Sequence, residues 1–384
     1  MRKPVRVLVI TPFLWSGAGK AIVRLILDLR TKGYRFEIVS SGRSRGLSDW
    51  PEYVRALRSA GIRYHAIDFF DRTPERFWQS AHKLTELIQS KRFHLVHVHA
   101  GVPAFAALVA RDRLGIGFPI VATFHSWNPD RPAWMNHADI WALNRCDHVI
   151  TVSSSYQEEL EAWGLDKKKS ETIHLGIDIP ACGCLTIGGP ANRPFRVLSV
   201  GRLEPRKDQE TLLRGFALLR KRFPESELYL AGPVGDREYH ERLRHRAKQN
   251  GWERQVRFLG KVKDLDARYR TADLFVSTSR DEGLGLAVLE AMSYGLPVIC
   301  TPVAGHRDFV EDGRNARVIP VGDFKRLAKA MSEIHSDPNM RIRLGENARQ
   351  TIREEFSWTV TVGEYDGVFR TLIKHTKPVL STQG

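Results

Sequence analysis

The sequence predicts an α/β protein of two tandem, doubly wound parallel-sheet domains, and three observations carry that prediction. Short apolar runs alternate with amphipathic segments of helical length along the whole chain of 384 residues. Strands buried on both faces, with helices between them, leave this trace in a sequence. The alternation breaks once, at residues 180–194, where Pro, Gly and small side chains gather as in a linker. It then resumes, and the length is comfortable for two domains. Ligands of such sheets bind beyond the carboxyl ends of the strands. In a tandem pair those ends are expected to face each other across a central cleft.

In the first half, strands are predicted at residues 5–10, 36–40, 63–67, 95–99, 120–123 and 148–152. Helices are predicted between them at 20–30, 74–89, 103–113 and 155–163. After the linker, strands are predicted at 195–200, 227–231, 256–259, 274–277 and 298–301. Helices accompany them at 207–222, 236–250, 264–271 and 286–294, then 323–335, 340–356 and 358–375. The domains are accordingly placed at 1–180 and 195–356, joined by 181–194, with 357–384 as a C-terminal helix. The hydroxyl-rich cluster from Ser153 to Glu158 reads as a helix N-cap with a capping box.

No apolar run reaches the roughly 18 residues that suggest a membrane span. Met1-Arg2-Lys3 and the apolar residues after it mimic a signal peptide, but Arg6 and Pro12 interrupt them, and the pattern continues into a strand and helix. Cys146, Cys182, Cys184 and Cys300 offer neither a disulfide framework nor paired zinc spacing, which fits a reduced, cytoplasmic setting. The net charge is +15; residues 1–180 carry 25 Lys+Arg against 18 Asp+Glu (excess 7), and the remainder 34 against 26 (excess 8). A surface basic over both halves favours polyanions, such as the anionic face of a membrane. No zinc-finger or RNP-like pattern accompanies the charge, so nucleic acid is not expected. Arg72, Arg76, Lys83, Lys91 and Arg92 flank one amphipathic helix, either as a membrane-facing patch or as a solvated face.

Three stretches carry chemistry. The first, Ile10 to Leu29, runs from a strand through Ser16-Gly17-Ala18-Gly19 to Lys20 and an apolar-periodic helix. It is not a P-loop, because Leu14 stands where glycine is needed and Ala21 where Ser or Thr would hold magnesium. It is not a dinucleotide fingerprint, because Ile22 takes the third glycine's place. The second stretch is Asp281-Glu282-Gly283-Leu284-Gly285-Leu286, opening a helix that contains Glu290 and stops at Gly295 and Pro297. A helix N-terminus attracts an anion, whereas two carboxylates beside it suit sugar hydroxyls. Hydroxyls at both ends of a diphosphate describe a nucleotide sugar. The third stretch, Val200-Gly201-Arg202-Leu203-Glu204-Pro205-Arg206-Lys207, supplies cations at a strand-to-helix turn. Arg202 and Lys207 are expected to converge on the diphosphate; Arg206 leaves the same turn, and the residues alone do not rank the three.

These stretches resemble the retaining glycosyltransferases of family 4, whose architecture is GT-B. The resemblance covers most of the chain and is densest in the second domain. There it includes GRL-x3-K, E-x7-E, "GWERQVRFLG" and "TPVAGHRDFVEDGRNARVIPVGD". It implies that Glu282 contacts the transferred sugar, Glu290 holds the nucleotide ribose, and Arg202 and Lys207 neutralise the leaving diphosphate. The backbone of Gly283, Leu284, Gly285 and Leu286 would complete the phosphate cradle, with Gly201 in the cation turn. Ala304-Gly305 stands where the family commonly has two glycines. The resemblance makes residues 16–19 a glycine loop facing donor phosphates or acceptor, with Gly17 on the donor side and Gly19 on the acceptor side. It also implies a C-terminal helix that crosses back to the first domain.

Among the histidines, His97 and His99 share one strand face, with His94 on the other. By position in the family, His125 touches the donor sugar near the reacting carbon and His99 lies near the cleft on the acceptor side; His97 reads as structural. Trp127, Trp134 and Trp141 read as helix packing or as an acceptor pocket, packing being the plainer assignment. Gly176-Ile177-Asp178 reads as a structural turn. The expectation is a retaining hexosyltransferase using a UDP- or GDP-linked sugar and a hydroxyl acceptor, a lipid-linked or cell-surface glycan precursor. No divalent metal or other cofactor is expected. Two other readings fit the same architecture, a nucleotide-sugar epimerase and a non-catalytic sugar-nucleotide-binding subunit.

Overall fold

The computed structural model describes residues 4–44, 46–69, 71, 73–125, 132–181, 193–282 and 285–375. The chain divides into two compact units, passing from the first to the second at Leu175/Gly176 and back at Trp358/Thr359. Each unit is an α/β body with its own all-parallel sheet.

The first unit runs β1 (Val5–Ile10), α1 (Ser16–Thr31), β2 (Tyr34–Ser40), the short hairpin β3 (Arg43–Ser44) and β4 (Leu47–Ser48), and α2 (Pro51–Ser59). It continues through β5 (Arg63–Ala66), α3 (Pro74–Lys91), β6 (Leu95–His99), α4 (Gly101–Leu114) and β7 (Ile120–Phe124). It ends with α5 (Ala133–Arg145), β8 (His148–Thr151), α6 (Ser154–Ala162) and β9 (Ser170–Thr172). The sheet order is β5-β2-β1-β6-β7-β8-β9, so the chain reverses direction of growth beside β1. Every residue of β6 and β7 is buried, as in strands covered on both faces.

The second unit comprises β10 (Arg196–Val200), α7 (Gln209–Arg222), β11 (Glu227–Ala231), α8 (Arg237–Gln249), β12 (Val256–Gly260) and α9 (Leu265–Thr271). Then follow β13 (Leu274–Ser277), α10 (Leu286–Ser293), β14 (Val298–Cys300), α11 (Ala304–Arg307), β15 (Arg317–Val318), α12 (Phe324–Ser336) and α13 (Pro338–Glu355). Its order, β12-β11-β10-β13-β14-β15, repeats the same reversal beside β10. Its core packs Phe216, Leu219, Leu230, Val276, Leu327 and Met331 between sheet and helices. Ile177 donates its N–H to the Phe356 carbonyl (2.9 Å) and accepts from Trp358 (3.0 Å). Gly176 lies against the Ser357 backbone where a Cβ would collide, which explains the glycine in this turn.

The last helix, α14 (Trp358–His375), packs from Thr359 onward in the first unit. Tyr34 donates to Asp366 (2.7 Å), Tyr365 and Thr123 share a hydroxyl bond (3.2 Å), and Phe369 meets the His97 ring edge-on.

Several expectations change on contact with the structure. Helices α2 and α5 went unread: α2 is short, though Tyr53, Val54, Ala56 and Leu57 share a face, and α5 mixes apolar and polar residues with no strong helical period. Trp134 and Trp141 are not packed inside: they stand 69% and 49% exposed on α5. Trp127, Arg72, Cys182 and Cys184 fall outside the described residues. Ser153 caps α6 through the Tyr156 N–H (3.4 Å), but Tyr156 occupies the position where a capping box needs Glu or Gln. Lys91 does not belong to an open basic face, because it pairs with the buried Glu37 at 2.6 Å.

Candidate active site

In the second unit, three loops meet beyond the carboxyl ends of β10, β11 and β13. The turn after β10 is a short 3-10 segment, Pro205–Lys207, ended by Asp208 in the left-handed region (φ 46°). Asp208 caps α7 at the Thr211 N–H (3.3 Å) and hydroxyl (3.0 Å). Thr278, just past β13, donates to the carbonyls of Asp208 (2.9 Å) and Lys207 (3.2 Å), and Arg280 N–H bonds Arg206 (2.8 Å). The loop after β11 comes in at Gly232 (φ 146°), where a Cβ would strike the Gly201 carbonyl. The Asp208 carboxylate, the Thr278 hydroxyl and the Arg280 N–H hold the turn in place.

The side chains then sort by burial. Lys207 pairs with Glu282, both largely buried at 16% and 13% exposure, and Ser279 donates to the same Glu282 oxygen (2.8 Å). Burial alone would raise the Glu282 carboxyl, but Lys207, His306 and the two hydrogen bonds outweigh it and hold it below the usual carboxylate range. Arg202 rests on Glu204 (3.1 Å), while Arg206 bridges Glu204 (3.5 Å) and Asp281 (3.2 Å). Gly201 lies along the stem of Lys207. Glu290, in the second turn of α10, accepts from the Tyr269 hydroxyl at 2.9 Å. Gly285 precedes α10 with φ 70°, and the first internal bonds of that helix run from Val288 and Leu289 back to Gly285. The N–H groups of Leu286 and Ala287 therefore have no partner inside the helix and mark its positive end. Gly283 and Leu284 lie outside the described residues.

In the first unit a cavity of about 310 Å³ opens beyond β1, β6 and β7, lined among others by Phe13, Trp15, Ala18, His99, His125 and Asp139. The expected glycine loop is absent: residues 16–19 are the first turn of α1. Asp49 clasps the preceding turn through Leu14 N–H (2.7 Å), so the helix starts early. A Cβ on Gly19 would stand 2.9 Å from the Leu14 carbonyl carbon and 3.1 Å from the Tyr53 ring, so close packing of the helix on its own turn requires this glycine. Neither Gly17 nor Gly19 lines the cavity; Ala18 between them does.

The cavity's polar wall is a pair of imidazoles. His99 Nδ1 and His125 Nε2 share a hydrogen bond at 2.9 Å with the rings stacked, and His97 lies 4.3 Å behind His99, centroid to centroid. His97 is tied to Thr123 (2.8 Å), matching its structural reading. Burial pushes His97 down to about 3 and His125 to about 4; His99 falls well below the ordinary range by burial and by its two neighbours. All three are therefore neutral near pH 7. The far nitrogens, His99 Nε2 and His125 Nδ1, are buried without a partner among the described residues. Asp139 reaches from α5 onto Gly101 at the start of α4, a contact any Cβ would block.

The sequence reading passed over the buried His306, although it sits inside the quoted element "TPVAGHRDFVEDGRNARVIPVGD". It also missed Ser279 and Thr278, on the loop after β13, and Tyr269 on α9, whose partners are brought near only in space.

Residues 15–180 match the family described as Glycosyltransferase Family 4, and residues 187–351 the one described as Glycosyl transferases group 1. The chain is 32% identical over 308 residues to a D-inositol 3-phosphate glycosyltransferase of Corynebacterium glutamicum, covering 73% of each. It is 24% identical to the N-acetyl-alpha-D-glucosaminyl L-malate synthase of Bacillus anthracis, over 94% of this chain and 96% of that one. Its fold matches the Anabaena HepE crystal structure, solved with UDP and glucose, at a TM-score of 0.81 and 21% identity, covering 96% and 100% of the two chains. Two parallel-sheet domains of this kind, together with these matches, place the chain in the group 1, family 4 glycosyltransferases with the GT-B fold.

Proposed function

We propose that the enzyme transfers a hexosyl group, with retention, from a UDP- or GDP-linked sugar to a hydroxyl of a lipid-linked or cell-surface glycan precursor. The observation that carries this is the buried Lys207–Glu282 pair beside the N-terminus of α10. A lone buried charge is expensive, so the pair keeps both groups ionised where a diphosphate and a sugar would lie side by side. Lys207, Arg202 and the Leu286 end of α10 would stabilise the charge that builds on the departing diphosphate. Glu282 would accept from the transferred sugar, and Glu290, steadied by Tyr269, from the ribose. The bond from the anomeric carbon to phosphate breaks, the bond to the acceptor oxygen forms on the same face, and the acceptor's proton passes to the leaving phosphate. His125 and His99 would meet the sugar and acceptor as neutral hydrogen-bonding groups. The chemistry calls for no divalent ion.

The basic surface supports an acceptor held at an anionic membrane face; among the described residues no helix is long and apolar enough to cross a membrane. A thermal-shift screen of UDP-glucose, UDP-galactose, UDP-N-acetylglucosamine and GDP-mannose, followed by product analysis with glycan acceptors, tests the reading. Stabilisation by one donor and an α-linked product from an α-linked donor are expected. Conversion of donor without acceptor, or an inverted product, would overturn it.

A further inference from the structure

His306 is fully buried, yet one of its ring nitrogens has no hydrogen-bond partner among the described residues. Its Nδ1 lies 2.9 Å from the Thr301 carbonyl. A carbonyl oxygen only accepts, so Nδ1 carries the proton and, in the neutral ring, Nε2 is a bare lone pair. Burial holds the ring neutral, with the Lys207 charge adding to the effect and Glu282 opposing it. The ring faces Gly285: a Cβ there would lie 2.5 Å from Nε2, so only glycine lets the imidazole reach the start of α10. Two further bonds fix the corner. Gly305 N–H donates to the Glu282 carbonyl (3.1 Å), and the Thr301 hydroxyl donates to the Ser279 carbonyl (2.6 Å).

A buried acceptor left unsatisfied is costly. It offers nothing to a phosphate, which also only accepts. Glu282 already holds Lys207 and Ser279 on one oxygen, so the corner presents carboxylate and imidazole acceptors together. A ligand rich in O–H donors, as a sugar is, answers both.

We infer that His306 is a specificity-determining residue for the donor sugar, its Nε2 accepting a second hydroxyl beside the one taken by Glu282. This rests on the nucleotide-sugar reading above. It adds that the transferred sugar must carry two donating hydroxyls at this corner, and that a sugar lacking either is rejected.

The test is calorimetric, on the full chain. It uses the best-bound of the four donors named above, the corresponding free nucleotide, and the donor's 2-, 3-, 4- and 6-deoxy forms that its structure allows. In the wild type, two deoxy positions should each lose tenfold or more of the affinity that the sugar adds over the nucleotide. His306→Asn keeps a donor for the Thr301 carbonyl but has no acceptor at the Nε2 position, so one of the two penalties should vanish. His306→Gln, which can place an amide oxygen there, should keep it. Free-nucleotide affinity should change less than twofold in both variants. Equal penalties in the wild type and His306→Asn would overturn the inference alone. So would a loss of free-nucleotide affinity as large as the loss for the donor. If no donor binds better than its nucleotide, the inference falls together with the nucleotide-sugar reading.

Discussion

Along β6 and just past β7 the first unit sets three neutral imidazoles in a row, and beyond β10 and β13 the second sets Arg202, Arg206 and Lys207, each on a carboxylate. The two sheets share one strand order and one kind of reversal beside their first strands. What differs is how each site meets the cost of burying polar groups. The first sheds charge: its histidines stay unprotonated, and two nitrogens are left open. The second keeps charge and pairs it. The sheet therefore supplies a place, and the loops supply the chemistry. An aromatic-lined cavity with unprotonated histidines and the Asp139 carboxylate suits a hydroxyl-bearing group, and a paired ionic corner suits a diphosphate that can take over one of the cations.

The comparison breaks most readily at the buried pair. Lys207→Met and Glu282→Gln should each lower kcat/KM by about 10²-fold or more, the usual cost of removing one preorganised charge. Removing one member of a buried pair also destabilises, by about 3–5 kcal/mol. Denaturant melts must therefore accompany the kinetics, and the near-isosteric variants are better choices than alanine. Activity within threefold of wild type in both would mean that the ionic corner is not where the reaction occurs.

Acidification probes the other site. A histidine held at about 3 when folded, as His97 is, and near 6.5 when unfolded binds its proton in the unfolded state first. Stability therefore falls as pH drops below about 6.5, by about 2 kcal/mol for this one group at pH 5. His97→Gln should flatten the slope of unfolding free energy against pH by about one proton in that window. An unchanged slope would show that the row of imidazoles is not neutral because of burial. Glu282 is shifted in the same direction, downward, but by its charged and hydrogen-bonding partners against burial: its contribution is present above the ordinary carboxylate range and is lost as pH falls through its lowered value.

A smaller effect is expected where a neutral group orients a charged one. Tyr269→Phe removes the donor to Glu290 and should weaken nucleotide binding by about fivefold, or about 1 kcal/mol; titration calorimetry with UDP and GDP reads this. Least of all should change at the surface. Lys167, itself 79% exposed, pairs with Glu161 at 2.9 Å, and Lys167→Ala should alter stability by less than about 0.5 kcal/mol. A larger loss in a chemical melt would erase the distinction between buried and exposed pairs.

Much of the fold was legible. β6, β11, β13 and α14 were read to the residue because apolar runs and their stops are local signals. α2 was missed because it is short, and α5 because its apolar residues follow no helical period and two tryptophans face outward. The glycines of residues 16–19 looked like a phosphate loop because glycine before a helix is common to both uses. The turn clasped by Asp49, a partner 35 residues away in sequence, made them a packed helix start instead.

By itself the sequence determined two alternating α/β halves, the family, and the residue types of the ionic corner, because periodicity and motif spacing are properties of neighbours along the chain. Only the tertiary structure decided that Lys207 and Glu282 form a buried pair, that Arg202 leans on Glu204, and that His99 and His125 stack with two nitrogens open. It likewise decided that Gly285 makes room for the ring of His306. Burial and pairing depend on which loops meet in space, and loops from β10, β13 and β14 meet only after the sheet has put those strands side by side.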